Sequence, residues 1–186
     1  MHPDDAPVVL LDEHRRPIGQ LPKSQVHHRD TPLHLAFSCY VFDEAGRLLM
    51  TRRATGKRTW PGVWTNSCCG HPMPEEPAER AASRRLREEL GLRLVRAAVA
   101  LPEFGYRAVA PDGVVENEFC PVLVAAVEGE PQPDPAEVLE VRWASWAQVV
   151  DLVAAAPWAV SPWAALQVTQ LAALAEPPWS LLAETC

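Results

Sequence analysis

The sequence predicts an α/β (α+β) fold, one domain in which a mixed β-sheet is flanked by helices. Three observations carry that prediction. The chain has 186 residues, 48% of them hydrophobic and 22% charged, a length and balance that suit one domain around a real core. Strand-like and helix-like segments are interspersed along it. No internal repeat and no linker interrupts it, so residues 1–186 read as a single domain.

The elements follow in chain order. "VVLLD" reads as a strand, and "EHRRPIGQL" as a turn into a second, short one. From Leu33, "LHLAFSCYVFD" alternates, with Leu33, Leu35, Phe37, Cys39 and Val41 on one face. "DEAG" punctuates a hairpin whose return strand, "RLLMTRR", leaves Arg52 and Arg53 near its end. "GKRTWPGVWTNSCCGHPMPEEP" reads as a long Gly/Pro-rich loop, and loops of that length inside compact domains are usually functional. "PAERAASRRLREELG" is the clearest helix, with Pro77 suited to its first turn and Gly91 to its stop. "LVRAAVALPEFGYRAV" holds a further strand, "VVENEFCPVLVAAV" a strong one, and "VRWASW" another that leads into a helix through "AQVVDLVAAA". The last helix is "SPWAALQVTQLAALA", with Ser161 as N-cap and Pro162 at its first position.

Composition narrows the function. The formal net charge of −7 argues against a broad nucleic-acid footprint, which needs a basic face. A small anionic substrate stays open, because a few local cations dominate one pocket. Cys39, Cys68, Cys69, Cys120 and Cys186 are too few and too irregularly spaced for a disulfide framework. The acidic N-terminal stretch lacks the pattern of a signal peptide, and no apolar run is long enough to span a bilayer. The expectation is a cytoplasmic protein without membrane or nucleic-acid partners, monomeric or a weak homodimer.

Several residues resist a purely structural reading. On the helix, Ala78, Ala81, Ala82, Leu86 and Leu90 form an apolar stripe, at about 100° per residue. Arg85 and Glu89 fall in its middle, where charged side chains rarely sit without partners. A plain helical ion pair is the competing reading, but Arg four residues before Glu is the weaker order. "TNSCCGHP" puts Cys68, Cys69 and His71 together, either as a buried thiol pair beside a surface His or as a reactive thiol beside a metal ligand. Glu116 and Glu118 lie two apart on a strand and face the same way. With His27, His34 and His71 they could form a site of nitrogen and oxygen ligands for a first-row metal.

Gly70, Glu76, Arg84, Glu88, Glu89, Gly91 and Leu92 stand in the register of the Nudix box, so residues of about 70–92 resemble that loop–helix–loop motif, whose acidic face holds divalent metal beside a diphosphate. One position departs: Arg85 stands where the motif has a Glu, which argues against hydrolysis. "WPGVWTNSCCGHP", with "LHLAF", "GYRA", "ENEFCPV" and "SPW", resembles the type I isopentenyl-diphosphate isomerases, a Nudix-fold family, from about Val8 to the last helix.

That resemblance implies interconversion of isopentenyl and dimethylallyl diphosphate, with a Nudix-type diphosphate hydrolase as the alternative. The reaction adds a proton at C4 and removes one at C2, with cationic character at C3 between the steps. It therefore needs an acid, a base, a cation-stabilising wall and a diphosphate anchor. By resemblance Cys69 is the base at C2 and Cys68 is packing. Glu118 is the acid at C4, with Tyr106 bonded to it. His27, His34, His71, Glu116 and Glu118 hold Mn²⁺, Mg²⁺ or Zn²⁺. Glu89 carries a second ion, Mg²⁺, on the diphosphate. Lys23, Arg53, Lys57 and Arg85 meet the diphosphate, and Trp163 presents its π face to the cation. His2 and His14 match nothing and are expected to be solvated.

Overall fold

The computed structural model describes residues 6–183, so His2 and Cys186 lie outside the described residues. In chain order the strands and helices are β1 (Pro7–Leu11), β2 (Pro17–Pro22), the single turn α1 (Lys23–Val26), β3 (His34–Leu35), β4 (Phe37–Val41), β5 (Arg47–Arg53), β6 (Trp64–Thr65), β7 (Cys68–Gly70) and α2 (Ala78–Leu90). There follow β8 (Arg93–Leu101), β9 (Gly105–Val109), β10 (Val115–Phe119), β11 (Val122–Glu128), β12 (Val138–Ser145), α3 (Trp146–Ala155) and α4 (Pro162–Ala172), with short 3₁₀ turns at Pro157–Ala159 and Pro178–Leu182. No helix among the described residues is long and apolar enough to cross a membrane.

The expected mixed α/β architecture is present, but the strands form three sheets. They run β2-β1-β3-β10-β9, β7-β4-β11-β8 and β12-β5-β6. β4 and β11 are parallel neighbours inside the four-stranded sheet, and β4 is buried along its whole length, as a strand covered on both faces must be. Phe37, Cys39, Val41, Leu123 and Ala125 pack under α2 against Ala81, Ala82, Leu86 and Leu90. Tyr40, Phe42, Val122 and Val124 face the other way, onto Val149 and Val153 of α3 and Trp163, Val168 and Leu171 of α4. Of the alternation expected from Leu33 on, Phe37, Cys39 and Val41 keep it, with apolar residues on both faces, whereas Leu33 lies outside the strands and Leu35 belongs to β3 in another sheet.

Three expectations need correction. The single strand expected over "VVENEFCPVLVAAV" is two, because Pro121 has no N–H to donate to a ladder. Its flanks join different sheets, β10 beside β3 and β9, β11 beside β4 and β8. The reversal at "DEAG" is there, closed by Asp43 N–H to Arg47 O at 3.0 Å. Yet β5 pairs with β12 and β6, because both edges of β4 are taken by β7 and β11. The long loop also contains strand: β6 pairs with β5 and β7 with β4. Ser67 between them ties two sheets together, bonding Val41 N at 2.8 Å and Leu49 O at 2.6 Å.

The helix termini follow their sequence signals closely. Pro77 sits at the N-cap of α2, one position before the first turn, and Gly91 closes the helix at φ 65°, a left-handed conformation that glycine adopts without a Cβ clash. Ser161 caps α4 with Pro162 behind it, as expected. The sheets meet at the Cys120–Pro121 break. Residues from β3 and β10 on one side and β7 on the other consequently reach a common cleft.

Candidate active site

The cleft has a volume of about 930 Å³, and the residues expected to act in catalysis, metal binding or substrate binding all line it except His34, which is fully buried behind it. Strand register places the first group. β10 runs between β3 and β9, so Glu118 lies opposite His34 on one side and Tyr106 on the other. His27 follows α1, and His71 follows β7. The box residues hold that last segment: Arg84 forms a two-pronged pair with Glu76, at 3.1 and 2.8 Å, and reaches His71 O at 3.3 Å.

The three imidazole rings gather with centroids 5.1, 5.4 and 5.1 Å apart. With Glu118 they offer four ligand atoms, all within 4.8 Å of one another. Nδ1–H of His34 donates to Pro32 O at 2.9 Å, which turns its Nε2 lone pair inward, the usual support for a ligating His. Nε2 of His34 and of His71 lie 3.5 and 3.6 Å from Glu118 Oε1, too far for a hydrogen bond. Both nitrogens are buried without a partner. Ligands bound at about 2.1 Å to one ion lie roughly 3.0–3.5 Å apart, so these gaps fit a divalent cation.

Protonation suits that use. Burial, with His71 and His34 nearby, pushes His27 down to about 3. Burial likewise lowers His71 to about 4. His34 moves up: burial opposes the shift, but the Glu118 carboxylate outweighs it. Burial pushes Glu118 up, yet the imidazoles of His34 and His71 facing it prevail and lower it. The result is largely neutral nitrogens around an ionised oxygen, the donor set that a metal needs.

Glu116 and Tyr106 are arranged differently from expectation. Tyr106 donates its hydroxyl to Glu116 Oε2 at 2.5 Å, not to Glu118. Glu118 is turned toward the histidines, so the phenol reaches the next carboxylate on the same face. Glu116 Oε1 also accepts from Thr59 Oγ1 at 2.5 Å, and Glu116 stands outside the four-residue ligand group. Burial, then the neighbouring Glu118 charge, raises the pKa of Glu116.

On the opposite wall, Cys68 and Cys69 are separated by the pleat of β7. Cys68 is buried in the core under α2, while Cys69 packs at the edge of the core on the other side. The Cys69 thiol donates to Asn66 Oδ1 at 3.2 Å and lies 3.4 Å from Ser38 Oγ. Burial drives it up to about 12, although the Ser38 and Asn66 contacts pull the other way. Cys69 is thus a neutral thiol in the open cleft.

Asn66 escaped the sequence reading, although it sits within the quoted motif. Its Oδ1 also accepts Trp163 Nε1–H at 3.0 Å, and its amide donates to Cys39 O and Cys68 O at 3.1 and 2.8 Å. One buried amide therefore orients both the thiol and the indole. Trp163 is 2% exposed, with Tyr106 and Trp60 packed on it at 5.8 and 5.5 Å. The Arg53 guanidinium lies 5.3 Å from its centroid, held by Thr59 O at 3.1 and 2.9 Å.

The far end of the cleft is cationic. Arg85 pairs with Glu89 and lies 3.3 Å from Glu137, which also pairs with Lys57. Burial, then Lys57 and Arg85, lowers Lys23. Glu89 is buried and raised by burial against the pull of Arg85. Arg85 and Glu89 thus form the helical ion pair, and the pair faces the cleft. Glu137 was missed because it precedes a strand in a Pro-rich segment and belongs to no periodic pattern.

A NUDIX domain profile matches residues 32–165. The chain is 60% identical over 173 residues to the isopentenyl-diphosphate Delta-isomerase of Frankia alni, covering 93% of this chain and 89% of the relative. The protein of the same name from Klebsiella pneumoniae is 53% identical, covering 86% and 87%. The crystal structure of DR0079 from Deinococcus radiodurans superposes with a TM-score of 0.68 at 19% identity, over 88% of this chain and 98% of that one, a likeness of fold.

Proposed function

The chain belongs to the isopentenyl-diphosphate Delta-isomerase family within the Nudix fold, and from that premise we propose that it interconverts isopentenyl and dimethylallyl diphosphate. The observation that carries this reading is the pairing of a thiol and two carboxylates, from two different sheets, in one cleft lined by Trp163. In the forward direction the Glu118 side of the cleft supplies a proton to C4. For that step the thiol proton of Cys69 stands on the Glu116–Glu118 pair; positive charge then grows at C3 beside the indole, and Cys69, as its thiolate, takes the proton from C2. In reverse, the Cys69 thiol protonates C2 and the carboxylate side accepts from C4. Glu116, held by Thr59 and Tyr106, keeps a second carboxyl beside Glu118, so the pair shares protons as a unit.

His27, His34, His71 and Glu118 would hold one divalent ion, Mn²⁺, Mg²⁺ or Zn²⁺, with Glu116 next to them. Glu89 would hold Mg²⁺ on the diphosphate. Such ions would fix the ligand geometry and offset diphosphate charge. Lys23, Lys57 and Arg85 bind the diphosphate, and Arg53 joins them from the Trp163 face. Hydrolysis is disfavoured because Arg85 puts a cation beside Glu89 where the Nudix box has a further metal-binding carboxylate.

The deciding assay is incubation of the purified protein with isopentenyl diphosphate and Mg²⁺. Dimethylallyl diphosphate is the expected product. Phosphate or isopentenyl monophosphate without isomerisation would replace this reading with the hydrolase.

A further inference from the structure

An anion-binding end that carries a carboxylate without a place in the family motif needs a reason. Glu137 stands at the mouth of β12, with its backbone locked on both sides. Its N–H donates to Asp134 O at 2.9 Å, and its carbonyl accepts Ala54 N–H at 3.0 Å. Asp134 N–H in turn donates to Glu89 O at 2.8 Å, which ties the segment to the end of α2. The Glu137 side chain is only 20% exposed. A single oxygen, Oε2, meets both Lys57 Nζ and Arg85 Nη2.

Lys57 is therefore gripped twice. Its backbone closes a turn onto Ala54 O at 3.2 Å, and Ala54 hangs on Glu137 O. Its ammonium sits on the Glu137 carboxylate. Without that carboxylate, two like charges from a loop and a helix would face each other across the cleft, and a long Lys side chain would spread over many rotamers. We propose that Glu137 is a positioning residue that holds Lys57 and Arg85 at a fixed separation for the diphosphate. The inference rests on the reading of this cleft as a diphosphate site. It does not require Glu137 to touch substrate.

The proposal makes a prediction of definite sign. If Glu137 were only a bystander charge, removing it would relieve repulsion and tighten anion binding. As a positioning residue, its loss weakens binding despite the gain in positive charge. The probe is inorganic pyrophosphate at constant Mg²⁺, titrated into the wild type, Glu137→Gln and Glu137→Asp, alongside steady-state kinetics with isopentenyl diphosphate.

Glu137→Gln should raise the pyrophosphate Kd and the KM by about tenfold, the scale of one lost charge-assisted contact, with kcat little changed. Glu137→Asp keeps the charge on a shorter arm and should fall between. In a Lys57→Met background the Glu137→Gln effect should shrink, because one of its two clients is gone. Unchanged or tighter pyrophosphate binding in Glu137→Gln overturns the proposal. So does a loss of kcat with KM preserved, or a Glu137→Gln protein that does not fold while Glu137→Asp binds like wild type. Wild-type protein that binds pyrophosphate but makes no dimethylallyl diphosphate overturns the isomerase reading alone. Wild-type protein that binds none overturns the diphosphate site and this inference with it.

Discussion

At the histidine end of the cleft, two buried imidazole nitrogens face one carboxylate oxygen and meet no hydrogen-bond partner. At the cationic end, Lys57, Glu137, Arg85 and Glu89 are joined in a chain of ion pairs. Buried polar atoms left unpaired cost free energy, so the first end is built around something that is not protein. The second end is already joined by ion pairs within the protein, so an anion there would meet cations that are held in place. Occupancy of the first should therefore govern stability and the proton chemistry near it, while changes at the second should govern affinity.

The sharpest way to break this contrast is to disable the two groups proposed to handle protons. Cys69→Ala and Glu118→Gln should each lower kcat by about a hundredfold to ten-thousandfold, the usual share of a positioned acid or base. Pyrophosphate binding should persist in both. Cys68→Ala, one residue away in the core under α2, should cost about 1 kcal/mol of stability and leave turnover near wild type. A dead Cys68→Ala beside an active Cys69→Ala would reverse the assignment of the two thiols.

Next in size is the ion itself. Titrating Mn²⁺ or Zn²⁺ into chelator-treated protein should raise Tm, with stabilisation of about 2.7 kcal/mol at a hundredfold excess over Kd. In the His27→Ala/His34→Ala double variant, elemental analysis should find the metal lost and the Tm response abolished. Full occupancy there would remove the histidine end from the contrast.

Tyr106→Phe tests the neighbouring carboxyl. It deletes the hydroxyl that donates to Glu116, worth about a tenfold change if the acceptor is charged. Turnover should be slowed rather than lost. A fully inactive variant would make the phenol itself the proton donor.

The smallest effect is a pH dependence of the metal-free protein. His27 at about 3 and His71 at about 4 lie below their ordinary value of 6.5 because burial disfavours the charged ring. The unfolded chain therefore binds more protons between those limits, and these groups make stability fall as pH drops from about 6.5 toward 4 and 3. His34, moved upward, contributes in the opposite sense. The urea midpoint of chelated protein should decline across that window, and less so in His27→Ala. An equal slope in the two proteins would show that the half-buried His27 ring is not held neutral by its surroundings.

Much of the fold was legible in the sequence because local signals and burial agreed. Gly91 ends α2 through its lack of a Cβ and Ser161 begins α4 through its hydroxyl, and the stripe of Ala81, Ala82, Leu86 and Leu90 predicts the face that packs on β4. Strand membership was less legible. Nothing local in "RLLMTRR" says that β4 has no free edge, and a two-residue strand such as β6 is too short for periodicity to mark it.

The sequence by itself determined which side chains could carry the chemistry: the histidines, the paired glutamates, the thiol beside His71 and the cations, all recognisable by residue type and motif. Only the tertiary structure decided their partners. Tyr106 bonds Glu116 because the histidines draw Glu118 aside, Asn66 joins Cys69 to Trp163, and Glu137 reaches across the cleft to Lys57 and Arg85. Such contacts join residues 10, 97 and 80 positions apart. A hydrogen bond or ion pair is set by ångström-scale separations after the sheets have met, and no periodicity along the chain encodes that distance.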